Sequence, residues 1–214
     1  MTNPDLTHIE FVLDRSGSMH SIKADIEGGF DAFIADQRTH PGECTVSLAQ
    51  FDNQYESVFE AIDVHEVRPL HLQPRGATAM LDAIGRSVIA LGERLAALPE
   101  PRRPGTVVVA IMTDGMENAS HEFTHEAIKE LITHQEQAYN WQFLYMGADQ
   151  DAIEVGAKMG IRADRSLTYG RGSSKEAYAA SSGLVTSMRS AAVAGMDMGS
   201  LGFSDDDRKE ATKK

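Results

Sequence analysis

Cysteine occurs once in the chain, at Cys44, so no disulfide can form within it. Met1 to Leu6 lacks a basic segment leading into an apolar run, the pattern of an export leader. The longest apolar stretch, Val107 to Met112, is far too short to cross a bilayer. Together these absences predict a reduced, cytoplasmic protein with no membrane partner. Basic residues are scarce as well: 20 Lys and Arg stand against 32 Asp and Glu, for a net charge of -12. A broad nucleic-acid footprint needs clustered Lys and Arg, so no nucleic-acid partner is expected. No G-x-x-x-x-G-K-[ST] loop is present, which removes P-loop nucleotide hydrolysis.

What is there suffices for one core. The 214 residues are 42% hydrophobic and 24% charged, a globular balance but too little for two large domains. The expected organisation is a single domain over residues 1–194, with its core at about 7–165 and a final helix. A polar, solvated tail over 195–214 follows, in which Ser204 and Asp207 have the spacing of a capping box for one short helix.

Apolar runs alternate with helical patterns. Ile9 to Leu13 reads as a strand, and Ser21 to Gln37 as a helix with Ile22, Ile26, Phe30, Phe33 and Ile34 on one stripe. Thr45 to Phe51 and Tyr55 to Ile62 read as two strands joined by a hairpin, the second antiparallel and at the edge. Thr78 to Leu98 and Phe123 to Ala138 are expected as amphipathic helices, Val107 to Met112 and Trp141 to Met146 as buried strands. A short helix at Asp149 to Met159, a short strand at Ser166 to Tyr169 and a helix at Ser174 to Val193 complete the series. This alternation predicts a Rossmann-like, doubly wound α/β fold: a mostly parallel six-stranded sheet with one antiparallel edge strand and helices on both faces.

The first strand ends in Asp14-Arg15-Ser16-Gly17-Ser18. In a parallel sheet the turn at a strand's carboxyl end opens onto the binding crevice. Two hydroxyls beside a carboxylate on a tight turn are hard oxygen donors, suited to Mg2+ first and to Mn2+ or Ca2+ next. Arg75-Gly76-Ala77-Thr78 adds a glycine loop with a hydroxyl before a helix, and Thr113-Asp114-Gly115 follows the most apolar strand. Three distant segments thus direct Asp14, Ser16, Ser18, Thr78 and Asp114 toward one crevice.

On these motifs the chain resembles the von Willebrand factor type A domains that carry a complete metal-ion-dependent adhesion site. The lone cysteine makes it more similar to stand-alone intracellular bacterial or viral members than to secreted ones. The resemblance implies that Ser16, Ser18 and Thr78 contact the ion directly, while Asp14 and Asp114 act largely through water. It also implies a protein partner that supplies an Asp or Glu as the last ligand, and no catalytic turnover. Glu117 and Asn118 read as a solvated loop, with support of the metal-site residues from behind or rim contact for a partner as the alternatives, and Arg15 and Arg75 as either a grip on that acidic partner or an offset to local acidity.

Two other functional classes compete. One is a structural or assembly subunit in which the ion only stiffens loops. The other is a zinc metallohydrolase, because His121-Glu122-x-x-His125 spells the zinc-peptidase motif. That chemistry needs both imidazoles on one helical face, yet Ser120 and Thr124 are both suited to cap a helix that starts inside the motif. Finally, Gly170-Arg171-Gly172-Ser173-Ser174-Lys175 reads as a flexible loop with a serine cap, a phosphate cradle being the alternative.

Overall fold

The computed structural model describes residues 1–213. Six strands, β1 (Asn3–Asp14), β2 (Glu43–Phe51), β3 (Tyr55–Asp63), β4 (Pro104–Thr113), β5 (Gln142–Ala148) and β6 (Ser166–Tyr169), form one sheet in the order β3-β2-β1-β4-β5-β6. Five run parallel, and β3 pairs antiparallel with β2 at the edge. Among the described residues the α-helices are α1 (Lys23–Gln37), α2 (Met80–Ala96), α3 (His125–Tyr139), α4 (Ala152–Lys158), α5 (Ser174–Val193) and α6 (Asp205–Ala211). The expected doubly wound architecture is the observed one.

Strand alternation divides the core in two. Ile9, Phe11 and Leu13 of β1 face α1 and α5, where Phe30, Phe33 and Tyr178 pack around Phe11. The opposite face carries Val12, Val109, Ile111 and Phe143, covered by α2 and α3 through Ile84, Val88, Ile128 and Ile132. Helices α1 and α5 approach closely at Gly29, where an added Cβ would stand 2.4 Å from Tyr178 Cδ2. Only a residue without a side chain fits there.

Strand β1 is longer than its apolar run because its polar residues are satisfied inside. Glu10 accepts from Ser87 Oγ at 2.8 Å and from Arg94 at 2.9 Å, and His8 lies within hydrogen-bonding distance of Thr45, Ser47 and Glu10. Burial pushes the Glu10 carboxyl up, yet His8, Arg94 and Ser87 together hold it below its ordinary value.

Several helix ends differ from the expected ones for the same kind of reason. Helix α4 starts at Ala152, because the Asp151 carboxylate caps it from Glu154 N at 2.9 Å. Helix α3 starts at His125, capped by the Thr124 hydroxyl. The serine cap expected before α5 is not formed: the Ser173 hydroxyl donates to Lys213 O at 3.0 Å instead. The capping box at Ser204 and Asp207 is present and opens α6. The preceding tail packs rather than dangles, with Met198 and Phe203 buried and Arg165 donating to Met198 O at 2.7 Å. No α-helix among the described residues is long and apolar enough to cross a membrane.

Candidate metal centre

The strand order locates the crevice. The chain winds outward from β1 to β2 and β3, then crosses back through α2 to place β4 on the other side of β1. The direction of winding therefore reverses between β1 and β4, and their carboxyl ends flank an open cleft. Asp14 ends β1 on one side of that cleft, and Thr113-Asp114-Gly115 ends β4 on the other.

The side chains converge there. Asp14 is fully buried; its Oδ1 accepts from Ser16 N at 2.6 Å and its Oδ2 from Thr113 Oγ1 at 2.5 Å. Ser16 Oγ lies 3.1 Å from Ser18 Oγ, and Ser18 donates to Asp114 Oδ1 at 2.5 Å. Thr78 Oγ1 and Asp14 Oδ2 stand 2.9 and 3.6 Å from the point where a Gly115 side chain would begin. The absent Cβ therefore leaves a small recess walled by a hydroxyl and a carboxylate. All five oxygen-bearing side chains singled out from the sequence meet at this rim.

Neighbouring loops hold them in place. Thr78 is locked outside α2: its N–H donates to Asn118 Oδ1 at 2.9 Å and its carbonyl accepts from Asn118 N at 3.1 Å. The Glu117 carboxylate takes the N–H groups of Leu81, Ala119 and Ser120 at 2.8–2.9 Å, closing both the start of α2 and its own loop. Glu117 and Asn118 are thus clamps on the Thr78 loop, not solvated bystanders. Arg15 is nearly buried and pairs with Asp52 at 2.9 Å and with Glu56, while Arg75 reaches the same Asp52 at 2.8 Å. Both arginines brace the loops against Asp52. Burial works to raise the Asp52 carboxyl, but hydrogen bonds from Arg75, Gln54 N and Arg15 hold it below its ordinary value.

The two rim carboxylates shift in the same direction. Burial pushes Asp14 up to about 6, against the opposing bonds from Thr113 and Ser16. Burial also raises Asp114, with Ser18 and the Arg171 charge offsetting it in part. Negative charge is held here at a free-energy cost, which a nearby cation would relieve. Two carboxylates and three hydroxyls on a rigid rim are a hard-oxygen donor set of the kind Mg2+, Mn2+ and Ca2+ take, so the residues fit such an ion. Thr113 and Arg171 also belong to the centre. Thr113 carried no mark in the sequence beyond its place beside Asp114. Arg171 was visible only as the basic residue of a glycine loop; its guanidinium reaches Asp114 Oδ2 at 3.3 Å.

The zinc-peptidase pattern does not assemble. Helix α3 begins at His125, so His121 lies in the preceding loop, where its N–H donates to Asp82. Glu122 pairs bidentately with Arg86, its Oε2 at 2.9 Å. Among the described residues no group of three or more His, Cys, Asp and Glu is placed to hold a metal ion.

No family model matches the sequence, and no curated protein matches it. Solved structures do. Proximal thread matrix protein 1 of the mussel byssus aligns with a TM-score of 0.58 and 15% identity, over 85% of this chain and 46% of that one. The same mussel protein with a zinc-occupied metal-ion-dependent adhesion site aligns at 0.51 and 14%, over 77% and 41% of the two chains. A von Willebrand factor type A protein from Catenulispora acidiphila aligns at 0.53 and 13%, over 87% and 42%. The von Willebrand factor domain of a type V pilus tip protein from Porphyromonas gingivalis aligns at 0.55 and 9%, over 91% and 97%. At these identities the likeness is one of fold: the molecule has the von Willebrand factor type A architecture. The chain spans less than half the length of the mussel and Catenulispora proteins.

Proposed function

We propose that the protein is a divalent-cation-dependent protein-binding module without catalytic turnover. The observation that carries this reading is the meeting of Asp14, Ser16, Ser18, Thr78 and Asp114 at the switch point of the sheet, with both carboxylates raised by burial. Ser16, Ser18 and Thr78 offer neutral hydroxyls to the ion, and Asp14 and Asp114 orient its water. When bound, the ion supplies an electrophilic centre for an incoming carboxylate. With neutral hydroxyls as its direct donors and both carboxylates acting through water, the cation would keep an electrophilic face open to a further anionic ligand. An Asp or Glu of a partner protein fits that face, and the loop at Met116 to Asn118 lies where it would help select the partner; Met116 is largely exposed. The zinc-occupied site of the mussel protein lends support to a metal at this position of the fold. Mg2+ is the first candidate for this chain, with Mn2+ or Ca2+ next.

We also infer a cytoplasmic setting, since a single cysteine leaves no disulfide to form within the chain. Cys44 is buried, and burial pushes its thiol up to about 11, so it is an inert core residue with no redox task.

Affinity capture in Mg2+ tests the reading. Partners are expected to bind wild-type protein, to elute with EDTA and to be lost with Ser16→Ala. Binding that survives both chelation and Ser16→Ala would replace this account with that of an assembly subunit whose ion only stiffens loops.

A further inference from the structure

Resting on the metal-centre reading above, we propose that Arg171 is a tethered cation that competes with the divalent ion for Asp114. Its guanidinium stands 3.3 Å from Asp114 Oδ2, while Ser18 occupies the other oxygen of the same carboxylate at 2.5 Å. Both oxygens of Asp114 are therefore engaged from within the chain. The Asp114 side chain has no exposed surface and Arg171 is 45% exposed, so the arginine reaches into the centre from the rim.

The arm is held in place from two sides. Asp149, just past β5, accepts from Arg171 N and pairs with its guanidinium, both at 3.3 Å. Asp149 sits at φ 48°, a conformation that aspartate tolerates better than most residues, and its own N–H is tied to Tyr169 O at 2.9 Å. On the other side, the loop is strapped to the C-terminal segment. Gly170 N donates to Ala211 O at 2.8 Å, and Ser173 Oγ donates to Lys213 O at 3.0 Å. The tail beyond α5 thus fixes the loop that carries the charge. Asp149 also gives the guanidinium a second carboxylate to rest on when it leaves Asp114.

The consequence follows from electrostatics. A unit charge within several ångströms of a divalent cation repels it, and both positive groups claim one carboxylate oxygen. At about 6 Å and near-water screening the repulsion amounts to about a tenfold change in affinity. The affinity of the centre is therefore set below what its five oxygens alone would give, and it depends on how firmly the tail straps the loop.

The test is calorimetric titration of Mg2+ into the full chain, comparing wild type, Arg171→Gln, Arg171→Lys and Asp14→Ala, with melting in EDTA confirming that each variant folds. The expected result is about tenfold tighter binding in Arg171→Gln at low salt, a gap that narrows as ionic strength rises, and near-wild-type binding in Arg171→Lys. Equal or weaker binding in Arg171→Gln overturns the proposal and makes Arg171 a brace. Equal tightening in Arg171→Lys and Arg171→Gln also overturns it, because loop release rather than charge would then be the cause. If wild type and Asp14→Ala give the same null titration, the metal-centre reading itself fails, and the proposal falls with it.

Discussion

Replacing Asp14 by asparagine is expected to stabilise the metal-free chain near neutral pH while abolishing its response to metal. The carboxyl has an ordinary pKa of 3.8 and is pushed up to about 6 in the folded site, chiefly by burial. The folded state therefore holds this proton to higher pH than the unfolded chain does. Stability falls as pH rises between those two values and stays low above them. The gap corresponds to about 3 kcal/mol against the ionised fold. Asparagine is neutral and similar in shape, but it presents one oxygen where Asp14 presents two. It therefore forfeits either the bond from Ser16 N or the bond from Thr113, at about 1 kcal/mol. The net expectation in EDTA at pH 7 is a gain of about 1–2 kcal/mol for Asp14→Asn. Urea unfolding of both proteins from pH 4 to pH 8 measures it. Wild type is expected to lose stability up to about pH 6 and Asp14→Asn to follow a flatter course. Added Mg2+ is expected to stabilise wild type by mass action and to leave the variant unmoved. A variant less stable than wild type in EDTA at pH 7, or parallel pH profiles, would refute the claim that Asp14 is held charged at a cost.

Further predictions concern the scaffold. Gly29→Ala is expected to lower stability by about 1–3 kcal/mol in thermal melts, because the new methyl meets Tyr178 at 2.4 Å; an unchanged melting point would mean that α1 and α5 part freely. Glu10→Gln is expected to lose about 1–3 kcal/mol at pH 7. The loss should shrink as pH falls below the ordinary value of 4.5, since the ionised Glu10 contributes stability only until its lowered carboxyl is protonated; an equal loss at acid and neutral pH contradicts this. Glu117→Ala is expected to weaken Mg2+ binding in calorimetry, because it frees three N–H groups around the Thr78 loop; unchanged affinity would show that the loop needs no clamp. Glu122→Gln is expected to leave Mg2+ binding intact, and a zinc-dependent peptidase activity lost in that variant would revive the hydrolase reading.

Much of the fold was legible because apolar spacing alone sets it. The stripe of Ile26, Phe30, Phe33 and Ile34 predicts α1, and the β-branched run at Val107 to Val109 predicts a strand buried on both faces. Legibility failed where a polar group is satisfied by a distant one. His8 looks like a residue outside the strand until Thr45 and Ser47 are seen to receive it, and the buried Glu10 is explained only by Ser87 and Arg94. Thr78 looks like the start of a helix until Asn118 holds it outside. Met198 and Phe203 look solvated in a polar tail, yet Arg165 draws that tail onto the body. The five rim oxygens were readable because each sits at a fixed offset from a strand end or glycine turn. Thr113, Asp149 and Arg171 were not, because their importance lies in pairs spanning 99, 22 and 57 positions of the chain.

The most direct test of the central claim is anomalous diffraction from crystals grown in Mn2+. The account predicts one strong peak at the carboxyl ends of β1 and β4, within about 2.5 Å of the hydroxyls of Ser16, Ser18 and Thr78. Saturating Mn2+ with no peak at that rim, or a peak held instead by His121 and His125, would contradict it.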